Sequence, residues 1–211
     1  MRKSSGLRAC RASRLVGIVV LASNRSALSS ALDGNTLLRM DKVVCPDCGV
    51  EYDLSEMEPS YRWPDAYLAV PANERDLRTI AGTDDCRVRD AEDTHRQYFL
   101  RVLLPIPIRG EVDPCCWGVW VEIAEGAFAR ARELWNDPDQ DREPTFAGVL
   151  ANELKGYQQT LGLVGRVRLT GPTSAPSFTL MPDLQHPLAR EHREGVYPER
   201  VVEWLARHCR H

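Results

Sequence analysis

Residues 114–135 place a strand pattern directly against a helix pattern and hold three of the chain's five tryptophans. Over 117–123 the side chains alternate. Trp117, Val119, Val121 and Ile123 share one face of an extended segment, and Gly118, Trp120 and Glu122 share the other. Apolar bulk on both faces predicts a central strand covered on each side. From Glu125 the period changes: Phe128, Ala131, Leu134 and Trp135 recur at helical spacing, while Arg130, Arg132 and Glu133 fall largely outside that face. A helix reaching about Trp135 is expected. Buried aromatics at strand spacing are what a sheet core needs, so Trp117 and Trp120 are read as packing rather than a ligand platform. Cys115 and Cys116, at the strand start, are read as two small buried thiols rather than a vicinal disulfide.

A central strand needs neighbours, and the flanking sequence offers them. Residues 86–89 and 97–108 are strand-like, and the polar turn 90–96 between them predicts a β-hairpin. Pro105 and Pro107 cannot donate to a ladder, which confines the far end of the second strand to an edge or an exit. Residues 146–154 form a short apolar segment, strand or helix, and 161–169 and 177–181 read as strands. Pro64 stands at a helix start, and Pro71 stops or restarts that helix before 73–80. His186-Pro187 leads into a short helix to about Arg193, and a last helix begins near Pro198 with Val201, Val202, Leu205 and Ala206 as its apolar side. Residues 54–63 read as loop, and so does the acidic run 136–144. In that run Asp137, Asp139 and Asp141 lack the Gly and closing Glu of a calcium loop. Strands grouped in the middle with helices at the edges predict an α+β fold with a mostly antiparallel sheet flanked by helices.

Charge divides the chain. Residues 1–40 carry seven Lys/Arg against the single Asp33, whereas residues 41–211 carry 20 against 29 Asp/Glu. The first forty residues read as a disordered or spurious basic leader, with Met40 as the true start and 41–211 as a single domain. The alternative is a secretory signal with an apolar run at 15–22. An acidic body repels phosphate backbones, which argues against nucleic acid as a partner. No apolar run approaches the roughly 20 residues of a membrane span. Seven cysteines, an odd number without regular spacing, fit a reducing cytoplasm better than a secreted disulfide framework.

Cys45-Pro-Asp-Cys48-Gly49 is the sharpest local motif. Two thiolates separated by two residues can hold one tetrahedral ion, and Gly49 lets the backbone turn behind them. A structural zinc site needs two more ligands, and no second CxxC exists. Cys86 is the expected third ligand, with His95, Cys115 or Cys116 to complete the set. The competing readings are a redox pair and plain thiols in a turn. His186, Glu191, His192 and Glu194 cluster in sequence, but Glu191 and His192 are adjacent and share no helix face. His186 reads as a cap.

The order Cys45-x-x-Cys48-Gly49, Asp84-x-Cys86, Trp117-Gly-Val-Trp-Val, then a Phe-containing helix ending in Leu134-Trp135, resembles a bacterial uncharacterised family, domain of unknown function (DUF) family 2199. Phe146-Ala-Gly-Val-Leu, Gly156-Tyr157, Thr160-Leu161, His186-Pro187-Leu188-Ala189 and Arg193-Glu-Gly-Val carry the resemblance further, over roughly Val44 to the C-terminus. It implies a cytoplasmic protein with an N-terminal zinc-ribbon-like knuckle and no established activity. In many such proteins a His stands four residues after the second Cys; here that position is Tyr52, not an ordinary zinc ligand. The functional expectation is a non-enzymatic, zinc-knuckle-bearing domain that binds a protein partner. The alternatives are a metal-dependent or thiol-redox enzyme and an immunity-type protein that neutralises a basic toxin.

Overall fold

The structure is a computed structural model and describes residues 42–44, 51–53 and 58–208, without the side chains of the first two segments or of Leu205. Strands β1 (Lys42–Val44) and β2 (Glu51–Asp53) pair antiparallel as a separate two-stranded sheet. The CxxC knuckle expected between them, Cys45 to Cys48, lies outside the described residues.

Seven strands form the main sheet: β3 (Thr79–Ala81), β4 (Asp85–Arg89), β5 (Arg96–Ile106), β6 (Cys115–Ile123), β7 (Phe146–Leu150), β8 (Val164–Arg168) and β9 (Ser177–Leu180). Each pairs antiparallel with the next. The helices are α1 (Asp65–Ala69), α2 (Arg75–Arg78), α3 (Glu125–Glu133), α4 (Pro187–Glu194) and α5 (Pro198–His208). The α+β class with a mostly antiparallel sheet is therefore as the sequence indicates.

The exception to the antiparallel order is what shapes the molecule. Leu103 of β5 pairs in parallel with Ser177 of β9, closing β5 through β9 into a five-stranded barrel. The edge of β5 that faces away from β6 is thus divided. Its first half pairs with β4 over Arg96 to Leu100, and its second half meets β9. The changeover is visible in two bonds of 2.8 Å, from Arg101 N to Asp84 O and from Leu103 N to Pro176 O. Eleven residues are needed because one strand serves two partners.

The inner face of the barrel holds Leu100, Val102, Leu104 and Ile106 of β5, with Trp117, Val119, Val121 and Ile123 of β6. Leu150, Val167, Phe178 and Leu180 come from the remaining strands, and Phe128, Leu188, Val201 and Trp204 from the helices around it. Space inside is short. A Cβ on Gly165 would lie 2.5 Å from the Phe178 ring, and one on its cross-strand partner Gly148 would lie 2.5 Å from Val121 Cγ1. The outer face carries a second core of Val70, Cys86, Val88, Phe99, Trp120 and Ala151, covered by Trp63 and Tyr67. Both faces of β6 are therefore buried, as its residue pattern predicts. Gly118 has its own reason: Tyr61 N donates to Gly118 O and Gly118 N donates to Pro59 O, both at 2.9 Å. A Cβ there would lie 2.9 Å from Ser60 Cβ. The glycine lets residues 58–61 lie close against β6, with Ser60 bridging Gly118 in parallel.

Two local expectations change. Residues 73–80 are not one helix: α2 ends at Arg78, Thr79 Oγ1 and N both bond back to Arg75 O, and the β-branched Thr79-Ile80 pair continues as β3. Trp204, left out of the expected apolar side of α5, is fully buried beside Val201.

Candidate functional site

Cys86, the described member of the expected metal set, is fully buried on the outer face of β4. Burial, with Asp85 adding to it, pushes its thiol up to about 12. Cys115, in the barrel interior, is also raised to about 12 by burial. Cys116 departs from the expectation of two thiols: it is disulfide-bonded, and its partner is neither Cys86 nor Cys115. Among the described residues no three His, Cys, Asp or Glu side chains are grouped so as to hold a metal ion.

The second cluster singled out in the sequence proves to be a brace. His186 caps α4 by accepting from Leu188 N at 3.1 Å through Nδ1. Its other nitrogen, Nε2, which then carries the proton, donates to Gln158 O at 2.8 Å. Glu191 accepts from the Tyr157 hydroxyl and from Arg200 Nε at 3.2 Å, and the Arg200 guanidinium lies over the Tyr157 and Trp204 rings. Burial and the Glu191 carboxylate hold the Tyr157 phenol far above its ordinary range. These contacts tie the loop after β7 to α4 and α5. His192 is partly buried on α4 and its burial lowers its pKa. Asn152, which no sequence signal marked, locks the other end of that loop. Its Oδ1 accepts from Trp120 N at 2.8 Å, and its Nδ2 donates to Trp63 O at 2.9 Å and Asp65 Oδ1 at 3.1 Å. A fully buried side chain with every polar atom engaged is structural.

The surface that remains unspent lies where β3 and β4 run on beyond the barrel. Ile80, Arg87 and Tyr98 stand side by side on three adjacent strands, on the face that continues the barrel interior. Phe128, Ala129 and Arg132 of α3 form the facing wall of a groove of about 710 Å3. Five arginines line it: Arg78, Arg87, Arg89, Arg96 and Arg132. Arg78 bonds Glu74 and Arg89 O; Arg89 and Arg96 pair with Asp93; Arg132 pairs with Asp85 at 3.3 Å. Among the described residues no carboxylate pairs with Arg87, which lies 5.9 Å from the Phe128 ring centroid. Leu77 of α2 and Ile80 of β3, the end strand of the described sheet, are 72% and 61% exposed on the rim. A second open depression of about 970 Å3 adjoins it, sharing Arg96, Tyr98 and Glu125 as a wall. The groove was missed in sequence, although a signal existed: in 86–89 the arginines alternate with Cys86 and Val88, which assigns them to the opposite face.

Barrel, braced helices and open groove together define an α+β protein built on a partly closed antiparallel sheet. The chain belongs to the family described as uncharacterized protein conserved in bacteria (DUF2199), whose model matches residues 44–196. That match takes in the main sheet and α1 to α4 and stops before α5. No curated protein and no solved structure matches the chain. None of the described helices is long and apolar enough to cross a membrane.

Proposed function

We propose that this DUF2199 protein is a non-enzymatic interaction domain that docks a protein partner on the β3 edge and the adjoining groove, with Cys45 and Cys48 holding a structural zinc ion. The observation that carries the docking role is the pair Leu77 and Ile80, largely exposed beside a sheet edge with no described strand beyond it. An open edge flanked by apolar side chains is a template for another chain, and stable proteins otherwise cover or charge such an edge. The zinc role rests on the Cys45-x-x-Cys48 spacing, and Cys86 is the third thiolate proposed for it.

Selection of a displayed peptide library on the purified protein tests docking. Selected peptides are expected to lose binding to Leu77→Asp and Ile80→Asp variants and keep it for Val112→Asp, a control at a site 82% exposed. Peptides indifferent to all three changes would place docking elsewhere. Metal analysis under reducing conditions tests the knuckle: about one zinc per chain is expected, lost in Cys45→Ser. Zinc retained in Cys86→Ala would leave Cys86 as a core side chain alone, and well-folded protein without zinc would remove the knuckle.

A further inference from the structure

The chemistry of the groove names the partner segment more closely. The inference rests on the docking role proposed above. We infer that the groove takes an extended acidic segment of a partner protein, added to the sheet as a further strand along β3, with Arg87 as its central reader of carboxylates.

The backbone of β3 leaves hydrogen-bonding groups on its outer side. Gly82 N donates to Asp85 O at 2.8 Å, so the bonded pairs of the β3–β4 hairpin are 82 with 85 and 80 with 87. Residues 79 and 81 then direct their N–H and C=O groups away from β4. The Thr79 N–H is taken by Arg75 O, which leaves Ala81 as the edge residue with both groups directed outward. A strand laid there would stand one spacing, about 4.8 Å, from β3 and about 10 Å from β4. A glutamate on it, on the face shared with Ile80, can meet Arg87 across that gap.

The side chains of the groove favour negative charge. Residues 41–211 carry nine more acidic than basic groups, yet five arginines converge on this groove against Asp76 and Glu125. The carboxylates that pair four of them sit at the surface, where such pairs are weak and exchange readily for a ligand's own. Arg87 has no such pair among the described residues. It is backed by the Phe128 ring and flanked on the sheet by Ile80 and Tyr98. An acidic segment with an apolar residue for Leu77 and Ile80 fits both features. A second copy of the chain does not, since pairing two β3 edges would set arginine groove against arginine groove. Duplex DNA could offer anions but no strand for the Ala81 edge.

Fluorescence anisotropy with the full chain tests this, using a labelled decapeptide that alternates glutamate with valine. The same peptide with lysine for glutamate, and a labelled DNA duplex, serve as competitors in kind. The acidic peptide is expected to bind, the lysine version at least tenfold more weakly, and the affinity to fall with added salt. Arg87→Gln and Ala81→Pro, each with an unchanged melting curve, should both weaken the acidic peptide about tenfold, and hydrogen exchange should slow at residues 79–81 on binding. Equal binding of both peptides, DNA binding tighter than the acidic peptide, or protection elsewhere would overturn the inference. Failure here with library peptides still sensitive to Ile80→Asp would leave the docking role standing and remove only its acidic partner. Loss of both would remove the docking role as well.

Discussion

The two halves of β5 belong to different kinds of structure. From Leu103 onward the strand is one stave of a closed barrel, hydrogen-bonded to β6 on one side and β9 on the other, with its inward side chains fully buried. From Arg96 to Leu100 it backs a hairpin whose last strand, β3, has no described strand beyond it. Closure abolishes the edge problem in the first region. The second retains an edge, exposes Leu77 and Ile80 there, and keeps its arginines loosely paired. One sheet thus spends its hydrogen-bonding capacity on stability at one end and reserves some of it at the other. Residues that matter to folding and residues that matter to recognition should separate along that line.

The largest test of that separation is Trp117→Ala inside the barrel. Loss of a fully buried indole costs about 3–5 kcal/mol. The value expected is near the lower end, because the Trp117 indole N–H has no hydrogen-bond partner among the described residues and its burial penalty leaves with it. Chemical denaturation measures the loss. Next comes Asn152→Ala, which strips Trp120 N of its acceptor and Trp63 O of a donor; about 1–3 kcal/mol is expected by the same method. A smaller effect concerns pH. Burial holds the His192 pKa in the folded protein below its unfolded value, so the unfolded chain binds the proton more readily. Stability from this group is full above its ordinary value of 6.5 and is lost as pH falls through it toward the folded pKa. Melting curves from pH 8 to 5 should fall less steeply in His192→Gln than in the parent. Smallest is Ile80→Ser on the open edge, which should change stability by no more than about 0.5 kcal/mol while abolishing binding of library-selected peptides. A large loss of stability at Ile80 joined to a small one at Trp117 would reverse the comparison.

Much of the closed region was legible in the sequence. The alternation over 117–123 gave both buried faces of β6, and the helical spacing of Phe128, Ala131 and Leu134 gave the buried side of α3. His186 before Pro187 gave the α4 cap. Closure itself was not legible, because a parallel pairing between Leu103 and Ser177 leaves no trace in either strand's own periodicity. The need for glycine at 118 depends on residues 58–61, a segment with no periodicity to announce that it packs against β6. Trp204 was overlooked because the aliphatic residues of α5 were read as its face, although Val201 and Trp204 stand three apart. At Thr79-Ile80 the local helical start overrode the β-branched signal, and tertiary pairing with β4 decided the outcome. That error hid the candidate site, since the groove exists only once β3 is a strand.

The single parallel pair between β5 and β9 also sets an order of events in time. Every other pairing in the main sheet joins strands consecutive in the chain, whereas this one joins residues 103 and 177 across the whole meander. Loop-closure entropy makes such a contact the last to be worth forming, so the hairpins assemble first and the ring shuts at the end. Alanine at Phe178, next to the closing residue, should therefore quicken unfolding and barely slow folding, whereas alanine at Val119 should slow folding. Stopped-flow rates for the two variants would show it, and equal slowing of folding by both would mean the ring shuts early. On its way to the native state the chain passes through an open, curling sheet in which β9 and the second half of β5 are not yet paired with each other. The hazard of mispairing with a neighbouring chain is greatest in that interval, before the ring is shut.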